Sequence, residues 1–163
     1  MHLNPAVFDV WAFRRTPTGI EYLVLQSSQL KAERWFNGGR FWQVPSGVFP
    51  DGETVPDALE RALLAYALTA RSIWAAEHVY TIYNRRFEQI QIISVYAAEV
   101  DGGDPRLDPA EHSTFRWLSF DAALDAVHYR GLKDGLRSVR EYVTEPTRPA
   151  PELCLRPARA TGQ

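Results

Sequence analysis

The chain has 163 residues, of which 45% are hydrophobic and 23% are charged, a composition typical of one ordinary globular domain. Its 18 Lys and Arg residues against 20 Asp and Glu residues give a net charge of −2. This balance argues against a general nucleic-acid-binding protein, because such proteins are usually basic. The single cysteine, Cys154, excludes an internal disulfide and a zinc site built from cysteines.

The start of the chain carries no export or anchoring signal. Residues 1–5 contain no basic region followed by an apolar run, which a secretory signal would need. No stretch of the chain approaches the roughly 18 consecutive apolar residues that a membrane helix requires. We therefore expect no membrane partner and a cytoplasmic location.

Two strands joined by a tight loop are predicted at the start of the chain. Residues 6–13 and 21–26 are rich in β-branched and aromatic side chains, and a loop with proline and glycine separates them, so they predict a hairpin. A Gly-Gly loop with aromatic flanks follows over residues 35–42. A short strand is predicted over residues 41–44, and Pro45 ends it.

The clearest helix signal covers residues 54–68. Thr54 can accept a hydrogen bond from the first turn, and Asp57, three residues later, completes a capping-box pattern. Pro56 falls in the first turn, where its missing N–H costs nothing. Apolar residues follow at helical spacing, namely Leu59, Ala62, Leu63, Tyr66 and Ala67.

The second half of the chain predicts three more strands and two helices. The strands cover residues 79–83, 87–100 and 115–118. Ser119 caps a helix over residues 120–127. A last helix carries an apolar face made of Leu132, Leu136, Val139 and Val143.

The order of these elements indicates the fold class. Strands on both sides of a central helix, with helices at the end, predict an α/β fold in which a mixed β-sheet is sandwiched between helices. We expect a single domain over residues 1–145. Residues 146–163 form a proline-rich tail that is predicted to be poorly ordered.

A spaced motif lies where the chain enters the central helix. Gly47 is followed after five residues by Glu53 and after seven more by Arg61, and the segment 42–47 with the sequence WQVPSG leads into it. This pattern resembles the Nudix box, G-x5-E-x7-R-E-U-x-E-E-x-G-U, in which U is a bulky aliphatic residue. Leu63 satisfies the first U position.

A second segment supports the resemblance. Glu111 and His112, followed by the strand 115–118 and a serine-capped helix, look like the late part of Nudix pyrophosphohydrolases. The resemblance is to the dATP and dihydroneopterin triphosphate pyrophosphohydrolase branch, and it covers about residues 6–143. It implies the Nudix fold and a Mg²⁺-dependent hydrolase of a nucleoside diphosphate linked to another moiety.

The second half of the box departs from the family pattern. The three helix carboxylates of the family fall on Ala62, Ala65 and Tyr66. The late glycine falls on Leu68, and the final aliphatic position falls on Thr69. The box is therefore degenerate, and its metal-binding half is lost.

Elementary chemistry makes this loss serious. Helix positions spaced i, i+3 and i+4 share one face, where the family's carboxylates hold Mg²⁺ against the diphosphate. Mg²⁺ is a hard ion that needs oxygen ligands, and two alanines supply none. A tyrosine hydroxyl, with a pKa of about 10, is a poor substitute for a carboxylate at neutral pH. The resemblance implies Mg²⁺ as cofactor, whereas these side chains argue against its binding.

The charged residues that remain have two interpretations each. By the resemblance, Glu53 and Arg61 organise the turn from loop to helix; alternatively, both are solvated surface charges. Glu111 is the best candidate for a remaining metal ligand or catalytic base, because this branch often uses an acid there. A solvated loop acid is an equally good interpretation of Glu111.

Aromatic and basic residues supply candidates for substrate binding. The faces of Trp35, Trp42 and Tyr83 could stack on a base or a pterin. The guanidinium groups of Arg40 and Arg86 could hold phosphates. Core packing for the aromatic residues and solvation for the arginines are the alternatives.

Three classes of function follow from these residues. The first is an enzyme of the Nudix pyrophosphohydrolase type, whose standard catalysis the missing carboxylates would weaken or abolish. The second is a nucleotide-binding or regulatory module that binds a small nucleotide-like ligand without turnover. The third is an oligomer or interaction partner, with a homodimer as one form, in which the apolar helix face packs on another chain.

Overall fold

The computed structural model describes residues 1–160 as eight strands and four α-helices. The strands are β1 (His2–Thr16), β2 (Gly19–Ser27), β3 (Trp42–Gln43), β4 (Ser46–Val48), β5 (Ala70–Asn84), β6 (Gln89–Val100), β7 (His112–Leu118) and β8 (Cys154–Arg156). The helices are α1 (Gln29–Trp35), α2 (Val55–Leu64), α3 (Phe120–Ala126) and α4 (Arg130–Val139), followed by a π-helical segment at Arg140–Thr144 and a 3₁₀ turn at Pro151–Leu153. Within these 160 residues, no helix has the length and apolar character needed to cross a membrane.

One sheet contains all eight strands. Its main order is β3-β2-β1-β6-β5-β8, while β4 pairs with β1 and β7 pairs with β2. The central pair, β1 and β6, runs parallel from His2 opposite Gln89 to Phe13 opposite Glu99, and the other pairs are antiparallel. The predicted hairpin of β1 and β2 and the predicted mixed sheet are confirmed.

The side chains of β1 alternate between two cores, one on each face of the sheet. Phe8 and Val10 pack in the core that contains Leu63 of α2. Trp11 and Phe13 point to the opposite face and pack in the core built with α3 and α4. Helices therefore cover both faces of the sheet, and the predicted α/β/α arrangement is confirmed.

The central helix α2 begins as predicted and ends earlier. Thr54 caps its first turn by accepting a backbone hydrogen bond at 3.4 Å. The helix ends at Leu64 instead of Leu68 because Ala67 adopts a left-handed conformation with φ 57°. The Leu68 N–H then bonds back to the carbonyl of Leu63 at 3.1 Å, which closes the helix in the manner of a Schellman motif.

Helix α1 lies where no element was predicted, and only its last residue, Trp35, falls within the loop predicted over residues 35–42. The Ser28 side chain caps it by accepting a hydrogen bond from the Lys31 N–H at 3.0 Å. Only Ala32 is buried among its seven residues, so the sequence of α1 has no apolar periodicity from which the helix could be predicted. The strand predicted over residues 41–44 shrinks to the two residues of β3.

The C-terminal segment differs from the predicted poorly ordered tail of residues 146–163. Strand β8 pairs with β5, with Ile73 opposite Arg156 and Trp74 opposite Cys154, and Leu153 is buried. The prolines do not prevent this packing, because an apolar stretch between them has room for a turn and a short strand. The last residues of the predicted tail, 161–163, lie outside the described residues.

Candidate active site

A cleft of about 300 Å³ opens between the end of α2, strand β4 and the turn before β7. It brings together several residues that the sequence singles out from distant segments of the chain, namely Gly47, Arg61, Ala62, Ala65, Tyr66, Glu111 and His112. Phe8 and Asp108 also line it. The cleft is therefore the place where the Nudix-like motif and the late acidic segment meet.

Gly47 is required here by the close approach of the backbone to an aromatic ring. A Cβ atom added at Gly47 would lie 2.8 Å from the Phe8 ring, closer than real Cβ contacts allow. β4 can pair with β1, Phe8 opposite Gly47, only because this side chain is missing. The first residue of the motif thus shapes the floor of the cleft.

Glu53 and Arg61 form an ion pair between the loop after β4 and α2. The Arg61 Nε atom donates to both Glu53 carboxylate oxygens, at 3.1 and 3.2 Å, and Nη2 donates to Oε2 at 3.1 Å. The hydrogen bonds to Glu53 raise the pKa of Arg61 above its ordinary value. This two-pronged contact links the loop after β4 to α2, as the resemblance implies, although the Arg61 side chain is largely exposed.

The three positions of the missing carboxylates face the same cleft with apolar groups and a phenol. Ala62 and Ala65 present methyl groups to it, and Tyr66 lies beside them on the last turn. Burial, with the nearby charges of Glu111 and Asp108, raises the pKa of Tyr66 to about 12. Its hydroxyl is therefore neutral at physiological pH, and α2 offers no anionic oxygen to the cleft.

The turn before β7 supplies the carboxylates that the cleft has. Glu111 is exposed, and its Oε2 atom lies 3.2 Å from Nζ of Lys31 on α1. The same turn is tied to α1 twice more, since Ser28 donates its backbone N–H to the Glu111 carbonyl at 2.9 Å and its hydroxyl to the Ala110 carbonyl at 2.6 Å. Glu111 is thus held at the cleft by a cation instead of being free.

His112 is the buried polar group of the cleft. Its Nδ1 atom is buried and, within residues 1–160, has no hydrogen-bond partner. Burial and the charge of Lys31 lower its pKa to about 4, so the imidazole is neutral at physiological pH. The Tyr66 ring lies beside it, with 5.9 Å between ring centroids. The cleft therefore holds two neutral ring side chains, and one of them, Tyr66, occupies a position where the family has an anionic helix residue.

Magnesium does not fit this set of donors. Within the described residues 1–160, no group of three His, Cys, Asp or Glu side chains is arranged to hold a metal ion. Asp108 and Glu111 are exposed, and Glu111 is already paired with Lys31. Mg²⁺ requires several oxygen ligands in octahedral geometry, and α2 contributes none of them.

The predicted substrate contacts lie outside the cleft. Trp35, at the end of α1, lies under the Arg86 guanidinium at 4.1 Å and beside Phe87, with ring centroids 5.8 Å apart. The structure thus brings Trp35 and Arg86 together at the tip of the β5–β6 hairpin. Tyr83, near the same tip, donates its hydroxyl to Glu88 at 2.8 Å.

Arg40 and Trp42 already have partners within the protein. Arg40 donates to the Ser27 carbonyl at 3.2 Å and to the Ser113 hydroxyl at 2.6 Å, so it holds the loop before β3 in place. Trp42 packs against a core, and the guanidinium of Arg116 lies 4.9 Å from its ring. Neither residue lines the cleft.

Two residues of the site were not singled out from the sequence. Lys31 reaches Glu111 from a helix that has no apolar periodicity, so no sequence pattern could have selected it. Asp108 lines the cleft, and its side chain accepts the Ala110 N–H at 2.9 Å. An aspartate two residues before a small residue is typical of such a turn, and this is the signal that could have located it.

Comparison with known proteins gives a family. Residues 4–139 match the sequence pattern of the NUDIX domain. No curated protein matches the chain by sequence.

Solved structures give the same fold at low sequence identity. A NUDIX hydrolase from Listeria monocytogenes has a TM-score of 0.71 at 18% identity, covering 90% of this chain and 99% of its own. The NUDIX domain of NrtR from Shewanella oneidensis, in complex with ADP ribose, has a TM-score of 0.65 at 17% identity, with 86% and 89% coverage. The dihydroneopterin triphosphate pyrophosphohydrolase of E. coli has a TM-score of 0.61 at 16% identity, with 90% and 99% coverage.

Proposed function

The chain belongs to the NUDIX domain family, and we propose that it binds a nucleotide-like diphosphate compound without the metal-dependent hydrolysis of the Nudix type. One observation carries this proposal. Where the family pattern requires three carboxylates, the cleft presents the methyl groups of Ala62 and Ala65 and the neutral phenol of Tyr66. Hydrolysis at phosphorus through a bound metal needs the metal to neutralise diphosphate charge and to activate water.

The parts of the motif that shape the cleft are kept. Gly47 lies on the ring of Phe8, and Arg61 is fixed by Glu53, so the loop-helix turn persists without its metal ligands. Retention of the scaffold together with loss of the ligands favours a binding function over an eroded enzyme. In this proposal, the carboxylate of Glu111 competes with the phosphate of the ligand for the ammonium group of Lys31.

A stacking surface lies within reach of the cleft. Ser28, the cap residue of α1, lies beside Glu111, and the helix ends at Trp35, about 10 Å further along the helix axis at 1.5 Å per residue. The pair of Trp35 and Arg86 offers an aromatic face and a cation at that distance. We propose that the base of the ligand stacks there while its phosphates approach the cleft, which keeps both residues as predicted contacts.

ADP ribose is the first ligand to test, because the similar NUDIX domain from Shewanella oneidensis was solved in complex with it. dATP and other nucleoside triphosphates are tested next, because the sequence resembles the dATP and dihydroneopterin triphosphate pyrophosphohydrolase branch. Titration calorimetry and tryptophan fluorescence, each with Mg²⁺ and with EDTA, measure binding. Release of phosphate or pyrophosphate measures turnover.

We expect binding of at least one of these compounds, with an affinity that EDTA leaves unchanged, and no release of phosphate. Release that requires Mg²⁺, at rates typical of enzymes, would overturn the non-catalytic proposal in favour of the hydrolase. The variant Trp35→Ala is expected to weaken binding at least tenfold, the effect of losing about 1.4 kcal/mol or more of stacking. Trp117→Phe is the control, because Trp117 packs beneath Arg14, away from the hairpin tip.

A gain-of-function variant tests the missing carboxylates directly. Ala62→Glu, Ala65→Glu and Tyr66→Glu together restore the family pattern at positions that line the cleft. We expect the triple variant to bind Mn²⁺, seen by calorimetry, while the parent protein does not. The matched control places three glutamates on exposed positions away from the cleft, at Leu30, Thr18 and Tyr142. Equal metal binding by the parent protein would refute the claim that these positions decide it.

A further inference from the structure

Half of strand β5 has an open edge. β8 pairs with β5 at Ile73 and Trp74, and within residues 1–160 no strand pairs with the outer side of residues 79–84. β8 runs antiparallel to β5, so the described chain after Arg156 leads away from this edge. Alternate residues of an antiparallel strand direct their N–H and C=O groups away from the paired neighbour. The outer half of β5 therefore presents a row of free backbone groups, which we call the β5 edge (Val79–Asn84).

The β5 edge is apolar, and it begins just after a β-bulge in which Glu77 has a positive φ of 54°. Val79 is 58% exposed, Ile82 43% and Tyr83 53%. The segment HVYTIYN, residues 78–84, contains no proline, lysine or other fully charged residue. Native proteins usually protect edge strands with such residues, because an open apolar edge pairs readily with another strand.

We propose that the β5 edge pairs antiparallel with the β5 edge of a second copy of this chain, about a two-fold axis at Thr81. This register places Val79 opposite Tyr83 of the second copy. It also places Tyr80 opposite Ile82. The two side chains of each pair share a face of the joined sheet, because directly opposite residues of an antiparallel pair do so. Apolar side chains would meet apolar side chains on both faces, which is the source of stability in cross-strand pairs.

The charges at the two ends of the β5 edge favour the same partner. Glu77, exposed, precedes it, and Arg85, exposed, follows it. Glu77 lies in a bulge with φ 54°, and Arg85 lies in the turn after β5, so neither continues the strand register. Antiparallel pairing about the two-fold axis still brings the acidic end of each β5 edge to the basic end of the other. A two-fold interface uses one patch twice, so the patch must be complementary to itself. The segment from residue 77 to residue 85 satisfies this condition in apolar pairing and in charge.

The first test is the mass in solution. Light scattering and sedimentation of the full chain over a wide range of concentration should give about twice 18.5 kDa. The double variant Val79→Glu with Tyr83→Glu places like charges opposite each other in both copies, and its mass should fall to that of one chain. The double variant Val79→Lys with Tyr83→Glu removes the same apolar surface, yet it places opposite charges across the interface and should keep the dimer.

Circular dichroism and unfolding transitions test whether both double variants fold. We expect that they do, because both positions are exposed. Leu30→Glu with Leu64→Glu is the matched control, since these exposed leucines lie on α1 and α2 and their replacement should leave the mass unchanged. A single-chain mass of the parent protein at every concentration would overturn the proposal. Equal behaviour of the two double variants would overturn the register and the two-fold axis.

A crosslink reports on the axis without changing charge. In a Cys154→Ser background, Thr81→Cys would place two thiols opposite each other, with Cβ atoms about 4.5–5.5 Å apart, within reach of a disulfide after small adjustment. Mild oxidation should then convert most of the protein into a covalent dimer. Thr18→Cys in the same background, exposed at the β1–β2 turn, should remain largely monomeric under denaturing electrophoresis. Equal crosslinking of both variants would contradict the proposed axis.

Discussion

Asp9 is a buried carboxyl group in a mainly apolar core. It is 6% exposed, and the hydroxyl of Tyr80 donates a hydrogen bond to its Oδ2 atom. Burial raises the pKa of Asp9 from 3.8 to about 6, although the bond from Tyr80 partly opposes the rise. His112 shows the opposite behaviour, since burial lowers its pKa from 6.5 to about 4.

These two groups give opposite slopes of stability against pH. Because the pKa of Asp9 is raised on folding, its contribution is fully present below about pH 4 and is lost as pH rises through 6. Because the pKa of His112 is lowered, its contribution is present above pH 6.5 and is lost as pH falls through 4. The two effects largely cancel in the parent protein between pH 4 and 6.5.

Replacing Asp9 should leave the pH dependence of the free energy of unfolding that is due to His112. The variant Asp9→Asn keeps an oxygen that accepts the Tyr80 hydroxyl bond and removes the titration. Relative to the parent protein, we expect its free energy of unfolding to rise by about 3 kcal/mol between pH 4 and pH 7, which corresponds to the shift of about two pKa units. Urea unfolding at a series of pH values measures this difference. Parallel curves for the two proteins would contradict the prediction, and Asp104→Asn, an exposed position, is the control.

The residues at and around the cleft could be identified from the sequence only where they belong to a motif with fixed spacing. Gly47, Glu53 and Arg61 were found because their spacing matches the Nudix box, and in the structure the last two are joined by hydrogen bonds. The positions Ala62 and Tyr66 followed from the same spacing. The Arg40 bonds to Ser27 and Ser113 could not be predicted, because they depend on where a loop without periodicity lies against β7.

Among the elements, those with a cap and an apolar period were predicted well. Helix α2 and helix α3 begin next to their predicted caps, Thr54 and Ser119. Helix α1 was missed because seven residues with one buried side chain carry no period. The end of α2 was misplaced because an alanine, Ala67, takes the left-handed conformation that a sequence pattern assigns to glycine.

The contact of α4 with β5 depends on one glycine. Gly131 lies in the first turn of α4, where a Cβ atom would overlap the ring of Tyr80. The ring is held by its bond to Asp9 and cannot easily give way.

Gly131→Ala should therefore lower the free energy of unfolding by about 1–3 kcal/mol, the usual effect of overpacking, although alanine favours helix more than glycine does. Chemical denaturation measures the change. Gly102→Ala is the matched control, because a Cβ atom there meets nothing within 4 Å, and its stability should change little. An unchanged or increased stability of Gly131→Ala would show that Tyr80 can move aside.

At the scale of the whole molecule, the C-terminal segment joins the edge of the sheet to α2. Leu153 is buried, β8 pairs with β5, and Arg156 contacts both Glu60 and Asp57 of α2, the latter at 2.7 Å. The sequence could not predict this, because β8 is only three residues long and obtains its partner from a strand about 80 residues earlier.

Leu153→Ala should lower the free energy of unfolding by about 2–3 kcal/mol, because it removes a buried side chain and leaves a cavity. Urea unfolding followed by tryptophan fluorescence measures this, since Trp74 lies opposite β8. Pro157→Ala, exposed in the same segment, should be close to neutral. If Leu153→Ala were also neutral, the segment would contribute nothing to the stability of the domain.

The parallel pairing of β1 with β6 has a consequence for how the chain reaches its native state. Each of the pairs from His2–Gln89 to Phe13–Glu99 joins residues more than 80 positions apart. During synthesis, β1 leaves the ribosome long before β6 has been made. Until then, the apolar middle of β1 can pair only with its hairpin partner β2. The entropy of closing so large a loop is lost before the contacts between β1 and β6 stabilise the chain. We therefore expect the protein to fold slowly compared with helical bundles of equal size.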